Sequence, residues 1–346
     1  MPRGEDLVSS RVRAINGYTP GEQPTDVELV KLNTNENPYP CSPLVTERVA
    51  LEVERLHLYP SPMADALREA AASVYDVRPD QVMAGNGSDE LLAILLRACT
   101  VPGDTVAWPV PTYSLYATLA EIVGARALEI PSDSLGIPAA LADADARITF
   151  LCTPNSPTGR SLPLQDIASF ARAATGVVVV DEAYIDFGGV SALTILADHP
   201  NMVVSRTFSK SYSLAGLRLG LLFGHEDLLA ALARVKDSYN VSRLAIAAGV
   251  AALEDRAWME NNVSQVRATR ARVTAALRKL GYALEDSAAN FLWIDCSAQG
   301  GGKVVYDRLR AGGVLARFFS APGLAHGIRV SIGTDEQMDR FLALLP

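Results

Sequence analysis

No apolar run in this 346-residue chain approaches the roughly 20 residues a helix needs to cross a bilayer, so a membrane-spanning protein is not expected. The opening Met1-Pro2-Arg3-Gly4-Glu5-Asp6 lacks the apolar stretch of a signal peptide, which points to the cytoplasm. Cysteine is scarce. Cys41, Cys99, Cys152 and Cys296 lie far apart without a C-x-x-C pair, which argues against a zinc site or a disulfide framework and for buried free thiols. Cys152 alone sits beside a motif, and packing is its expected role. Long basic clusters are missing as well. With 31 Lys and Arg against 39 Asp and Glu the formal charge is −8, which speaks against nucleic acid or an acidic membrane surface as partner. The chain has no internal repeat and no low-complexity tract.

What is present is the composition of a globular protein, with 49% hydrophobic and 20% charged residues. A single core rarely grows beyond roughly 250–300 residues, so two lobes sharing a cleft are expected. Residues 1–40, rich in Pro, Gly and Asn, read as an extended arm with little regular structure. From about Ser61, helices alternate with short apolar strands. Asp65 to Tyr75 reads as a helix, and Glu90 to Cys99 as one apolar on most faces and hence buried. Strands are expected at Gln81–Ala84, Thr105–Trp108, Ala127–Ile130, Ile148–Leu151, Gly176–Val180, Met202–Ser205 and Leu219–Phe223. Such runs lack in/out alternation, the mark of a largely parallel sheet covered on both faces. One long helical stretch should follow from Asp227 to Leu280, and then strands at Phe291–Ile294 and Ile328–Ser331. The expected fold is α/β: a large lobe over residues 41–249 around a mostly parallel sheet, and a smaller α+β lobe from residues 1–40 and 250–346.

Functional residues of open α/β sheets gather at the carboxyl ends of strands, and five turns there are informative. In Ser209-Lys210-Ser211, with Arg218 eight residues on, a lysine just past a buried strand can form an imine with an aldehyde while its neighbours bind a phosphate. Read singly, the same lysine is a solvated surface charge. Asp181-Glu182-Ala183-Tyr184 puts a carboxylate at the mouth of a strand, where it can hold a proton on a pyridine-type nitrogen, or else cap a helix or bind a metal. Gly85-Asn86-Gly87-Ser88-Asp89-Glu90 opens the buried helix with free backbone N–H groups, a phosphate cradle in which Gly87 permits close approach. Pro111-Thr112-Tyr113 offers a ring that stacks on a planar cofactor or joins the core. Thr153-Pro154-Asn155-Ser156-Pro157-Thr158-Gly159 is a rigid turn presenting amide and hydroxyl groups.

In order along almost the whole chain, these turns resemble the pyridoxal-phosphate-dependent aminotransferases of fold type I, and most closely the histidinol-phosphate aminotransferase branch. The likeness includes Lys31-Leu32-Asn33-Thr34-Asn35-Glu36-Asn37-Pro38, Leu58-Tyr59-Pro60 and Arg329-Val330-Ser331-Ile332-Gly333. The resemblance implies pyridoxal 5′-phosphate held by Lys210 as an imine, with Asp181 paired to the ring nitrogen and Tyr184 to the ring hydroxyl. It places Tyr113 against the ring, and Ser209, Arg218 and the backbone around Gly87, Ser88 and Asp89 on the phosphate. Tyr59 would reach that phosphate from a second subunit, making a homodimer with the site at its interface. Arg329 would pair with a substrate carboxylate in two-pronged geometry. One position departs from the family pattern: Ser156 stands where Asn usually precedes Pro-Thr-Gly, with Asn155 one place earlier, and either could serve the ring hydroxyl. Gly17 also replaces a common proline, leaving Tyr18 in place.

The implied reaction moves an amino group from a small amino donor to a 2-oxo acid, with the freed Lys210 as general acid and base. Decarboxylation of the threonine-phosphate decarboxylase type is the alternative, because the same electron sink serves either bond. Aminotransferase-like domains of transcription regulators carry an added DNA-binding domain, for which no basic helix-turn-helix stretch is seen. Histidinol phosphate with 2-oxoglutarate is the family's familiar pair, and Tyr18, Arg317 and Arg329 match positions expected near phosphate or carboxylate. Phe318 and Phe319 beside Arg317 equally suit an aromatic amino acid.

Overall fold

A computed structural model of the chain describes residues 3–15, 17, 20–24, 29–132 and 136–345. The strands are β1 (Val30–Lys31), β2 (Val82–Gly85), β3 (Thr105–Val110), β4 (Arg126–Pro131), β5 (Ile148–Cys152), β6 (Val177–Asp181), β7 (Met202–Thr207) and β8 (Gly220–Gly224). They continue with β9 (Phe291–Asp295), β10 (Val314–Leu315), β11 (Arg317–Phe318) and β12 (Gly327–Ser331). Seven of them form one sheet in the order β2-β8-β7-β6-β5-β3-β4. The pairings β3–β4, β3–β5, β5–β6 and β6–β7 are parallel, whereas β8 runs antiparallel to both neighbours. The reversal follows from the connection: residues 208–219 carry the lysine turn and only a short 3₁₀ turn, not the crossover helix that a parallel return usually needs.

The expected strands are all found: those expected at Gln81–Ala84, Gly176–Val180 and Leu219–Phe223 are shifted one residue toward the C-terminus, and the rest are extended by a residue or two. Their apolar runs are explained by burial on both faces: every residue of β2, β5, β7 and β8 is buried. Side chains alternate between two cores. Leu151, Val178, Val180 and Val204 face one, while Phe150, Cys152, Val179 and Val203 face the other together with Trp108 and Tyr116. By the same alternation Asp181, the last residue of β6, turns toward the side of Trp108 and Tyr116. Edge strand β4 is largely exposed.

A second, three-stranded antiparallel sheet has the order β11-β12-β9, and β1 pairs in parallel with β10. The N-terminal arm also contains a short helix, Ser10–Ala14. The single helical stretch expected from Asp227 to Leu280 is three helices instead: Glu226–Leu232, Arg243–Glu254 and Arg256–Lys279. Polar Asp237-Ser238-Tyr239-Asn240 breaks the first from the second, with Tyr239 in left-handed backbone at φ 57°. Ser242 then caps the new helix by accepting from the Ala245 N–H at 3.2 Å. The helix Arg243–Glu254 runs unbroken across residue 249, where the large lobe was expected to end. Among the described residues no helix is long and apolar enough to cross a membrane.

Gly220 is in register with Gly85 on one side and Thr207 on the other, so β8 clamps the turns that follow β2 and β7. A Cβ there would lie 2.5 Å from the Ser88 nitrogen and 2.6 Å from the Gly87 carbonyl carbon, both backbone atoms that cannot swing aside. Gly220→Ala is therefore expected to destabilise the protein by about 1–3 kcal/mol, the usual cost of overpacking. Urea denaturation reads this directly, and an unchanged midpoint would contradict the contact.

Candidate active site

The parallel strands β3, β5, β6 and β7 all end at one edge of the sheet, and β2, antiparallel to β8, ends there too. The five turns singled out in the sequence are thus neighbours in space. In β5, β6 and β7 the registers Cys152↔Asp181 and Asp181↔Ser205 set Asp181 in the middle of that edge.

Asp181 is 3% exposed. Its Oδ2 accepts from the Tyr116 hydroxyl at 2.7 Å and its Oδ1 from the Ala183 N–H at 3.3 Å. Burial lifts its pKa to about 6 against the pull of these donors, and the carboxylate of Asp89 adds to the rise. Tyr113 packs edge-on against Tyr116, with ring centroids 5.6 Å apart, and its hydroxyl donates to Asp89 Oδ1 at 3.3 Å.

Lys210 is partly buried beyond β7. Its Nζ donates to the Thr34 carbonyl at 3.1 Å and lies 5.7 Å from the centre of the Tyr184 ring. Burial and then the nearby Arg329 bring its pKa down to about 8, with Glu36 and Asp89 pulling the other way. A side chain poised between amine and ammonium at that pH can act as nucleophile and as proton carrier. Tyr184 is buried, accepts from Asn35 Nδ2 at 3.0 Å and rests edge-on against Phe291. Burial pushes its phenol up to about 12, so it is a donor over the working range.

The lysine turn is held from below by a buried ionic group. Arg206 pairs with Glu182 at 3.1 Å and with Asp186 at 2.8 Å, and Asp186 accepts from the Ser211 hydroxyl at 2.5 Å. Asn37 Nδ2 donates to the Ser211 carbonyl at 3.1 Å. Lys210 is thereby gripped at its neighbour from two elements.

At the other end of the site, Gly87 caps the helix Ser88–Cys99 without contributing a side chain, and its φ of 85° is left-handed. A Cβ at Gly87 would come within 2.8 Å of Arg218 Nη2. Arg218 in turn pairs with Asp89 at 3.0 Å and touches Ser209 Oγ at 3.5 Å. Helix amides, a guanidinium and a serine hydroxyl converging on one point are suited to an anion.

Arg329 on β12 donates from Nη1 to Ser156 Oγ and from Nη2 to the Asn33 carbonyl, both at 2.9 Å. Its register partner across the ladder is Arg317 on β11. Phe319 lies beneath both guanidinium groups, at 5.3 Å from Arg317 and 5.5 Å from Arg329. Arg317 Nη1 also donates to the Pro20 carbonyl at 3.1 Å. Of the two residues left open for the ring hydroxyl, buried Ser156 faces Arg329, whereas the Asn155 amide is engaged inside its own turns. It accepts from Thr112 at 2.7 Å and donates to Pro111 at 3.0 Å and Thr158 at 2.9 Å. Tyr59 stands apart, 78% exposed and stacked on Tyr239 at 4.6 Å. Tyr18 lies outside the described residues.

Tyr116, Asn35 and Thr34 were not singled out in the sequence, although all three touch residues that were. Tyr116 lies in an apolar helix that begins at Leu115, and nothing in its sequence setting signalled that its hydroxyl serves Asp181. Asn35 and Thr34 lie within a quoted motif that gave no hint of which side chain points where. Among the described residues no group of three or more His, Cys, Asp or Glu side chains could hold a metal ion.

Residues 27–345 match the family model of aminotransferase class I and II. Histidinol-phosphate aminotransferase 1 of Trichormus variabilis is 43% identical over 332 residues, covering 95% of each chain. Histidinol-phosphate aminotransferase of Geobacter sulfurreducens is 44% identical over 342 residues, covering 97% of each. Among solved structures, that of histidinol-phosphate aminotransferase from Sinorhizobium meliloti in complex with pyridoxal-5′-phosphate superposes with a TM-score of 0.86 at 27% identity, over 92% of this chain and 90% of the other.

The burial of Asp181 has a consequence for stability. Its folded pKa of about 6 exceeds the ordinary 3.8, so the folded state holds the proton more tightly, and stability falls as pH rises between those values. In protein freed of small-molecule ligands, Asp181→Asn should therefore gain about 3 kcal/mol at pH 8, an order-of-magnitude figure from the shift. That gain should vanish below pH 3.8, the ordinary aspartate value. Thermal melts of the two proteins across pH check it, and a pH-independent difference would refute the electrostatic cause.

Proposed function

The chain belongs to the class I and II aminotransferases, in their histidinol-phosphate branch, and is an enzyme of amino-group transfer; we propose that it carries the amino group of histidinol phosphate to 2-oxoglutarate. The observation that carries the choice of donor is the cross-strand pair Arg317 and Arg329, two cations side by side on β11 and β12 above one phenylalanine ring. Such a pair suits a phosphate in one half-reaction and a carboxylate in the other. Phe319 and the adjoining Trp293, 6.1 Å away, favour an aromatic amino acid as a second donor.

The donor set fits pyridoxal 5′-phosphate: an amine at Lys210, a buried carboxylate at Asp181, a phenol at Tyr184 and an anion cradle at Gly87 and Arg218 that a Cβ would fill. When bound, that cofactor supplies an aldehyde that condenses with amines and a ring that draws electrons from the carbon next to the nitrogen. Lys210 would hold it covalently at rest. Asp181 would pair with the ring nitrogen, Tyr184 with the ring hydroxyl, and Tyr113 would stack on the ring face. Ser209, Arg218 and the N–H groups of Ser88 and Asp89 would hold the phosphate.

Ser156, through Arg329, acts on the substrate side of the site, while Asn155 keeps the loop in shape. With the cofactor bound, Lys210 Nζ would take the proton from the donor's α-carbon and, in the second half-reaction, deliver one to the acceptor's. The amino group would stay on the cofactor in between, and the water consumed in releasing the donor as ketone would be returned when the acceptor leaves as amino acid. Transfer rather than decarboxylation fits a donor that has no carboxylate beside its amine.

We further propose a cytoplasmic homodimer. Leu51, Val53, Leu56 and Leu58 are all about half exposed or more and precede exposed Tyr59, which would cross the interface to the partner's cofactor phosphate.

Borohydride reduction followed by peptide mapping should find the cofactor fixed to Lys210, and an adduct on another lysine would overturn the assignment. Arg317→Ala should lower kcat/KM for histidinol phosphate by 2–5 kcal/mol of transition-state binding, roughly 30- to several-thousand-fold, while costing an aromatic amino acid much less. Equal losses for both donors would remove the case for a phosphorylated substrate.

A further inference from the structure

We propose that Tyr116 is a positioning residue for the transfer reaction: its hydroxyl fixes the Asp181 carboxylate and its ring braces Tyr113, so one side chain sets two of the groups that meet the cofactor ring. The inference rests on the roles given above to Asp181 and Tyr113. Its basis is the arrangement around Tyr116, which is fully buried, stacks on Phe150 at 4.3 Å with planes 5° apart and meets Trp108 edge-on at 6.2 Å. From this fixed place its hydroxyl donates to Asp181 Oδ2 at 2.7 Å, and its ring meets that of Tyr113 at 84°. Tyr113 is then pinned at both ends, by Tyr116 at the ring and by Asp89 at the hydroxyl.

The hydroxyl matters because of where the proton between Asp181 and a ring nitrogen must reside. An isolated buried carboxylate is a strong base and takes such a proton for itself, leaving both partners neutral. A neutral pyridine-type ring withdraws electrons poorly. A hydrogen bond to the carboxylate weakens it as a base and so keeps the proton on nitrogen. Toward the carboxylate Tyr116 is the donor, because burial and the adjacent Asp181 hold its phenol protonated, well above the ordinary range. Among the described residues, other polar groups that act on or near Asp181 include the Ala183 N–H, a longer contact at 3.3 Å, the neutral thiol of Cys152, the phenol of Tyr184 and the carboxylate of Asp89, which opposes ionisation.

The test compares holoenzymes of Tyr116→Phe, Asp181→Asn and the double variant with the natural protein, using cofactor labelled with 15N in the ring. Tyr116→Phe keeps the stacking and loses only the hydroxyl. Its nitrogen resonance should move toward that of neutral pyridine, and kcat should fall roughly 10- to 100-fold, as expected for a hydrogen bond to a charged group, with KM changed by less than about twofold. In the Asp181→Asn background the same change should cost less than about twofold, because the group it acts through is gone.

An unshifted resonance with an unchanged kcat in Tyr116→Phe would overturn the proposal, as would equal losses in both backgrounds. If Asp181→Asn itself kept the natural rate and resonance, the nitrogen-pairing role of Asp181 would fall, and this inference with it. Should Tyr116→Phe fail to fold, 3-fluorotyrosine at position 116 provides a stronger donor of nearly the same shape. It must move the resonance the opposite way, and no movement would count against the proposal.

Discussion

The structure turns on the desolvation of one carboxylate. Asp181 ends a strand buried on both faces, and its pKa is lifted to about 6 by burial. A fold selected for stability alone would place an apolar residue there. Much of the surroundings reads as a response to this group. The flanking parallel strands exclude water, Tyr116 supplies a donor, and the aromatic layer of Trp108, Tyr116 and Phe150 keeps that donor in place. The free energy stored in the buried charge is available to any cationic group that binds beside it.

Lys210 shows the same logic with the opposite sign. Water is kept from its amine and Arg329 repels its proton, so it titrates near pH 8 rather than at its ordinary 10.5. Its turn is not anchored by packing alone. The Arg206, Glu182 and Asp186 group and the Asn37 amide grip Ser211, which follows Lys210 directly. The Thr34 carbonyl, from the segment that follows β1, meets the amine itself. The turn after β7 and the N-terminal segment therefore meet at a single nitrogen atom, on which Arg329 of the second sheet acts through its charge.

Much of this was legible in the sequence. The central strands are mostly apolar without in/out alternation, so burial on both faces announced the sheet, and chemistry-bearing residues at strand ends marked one edge. The direction of β8 was not legible, because Leu219–Phe223 is as apolar as its parallel neighbours and only the connection decides its sense. The break at Asp237-Ser238-Tyr239-Asn240 was written in polar turn residues, but strong helical patterns on either side masked it. Tyr116 was hidden for a different reason: a tyrosine in an apolar helix is ordinary core by composition, and only the position of its hydroxyl, opposite a residue 65 places along, reveals a second use. The surroundings of Asn155 and Ser156 were hidden in the same way, since only the folded turn shows Asn155 bonded to Thr112, Pro111 and Thr158 and Ser156 bonded to Arg329.

The ladder between β11 and β12 bears on how such an enzyme can change over evolutionary time. Arg317 and Arg329 are cross-strand neighbours, so their spacing is fixed by main-chain hydrogen bonds rather than by either side chain. Arg329 is further tied to Ser156 and Asn33, deep in the site, whereas Arg317 leans outward to the Pro20 carbonyl. On the roles proposed for these two arginines, a lineage can exchange the residue at position 317 and explore new amines while the anchor at 329 and the frame that carries it stay as they are. A duplicated copy of the gene would need to move little else to acquire a new donor.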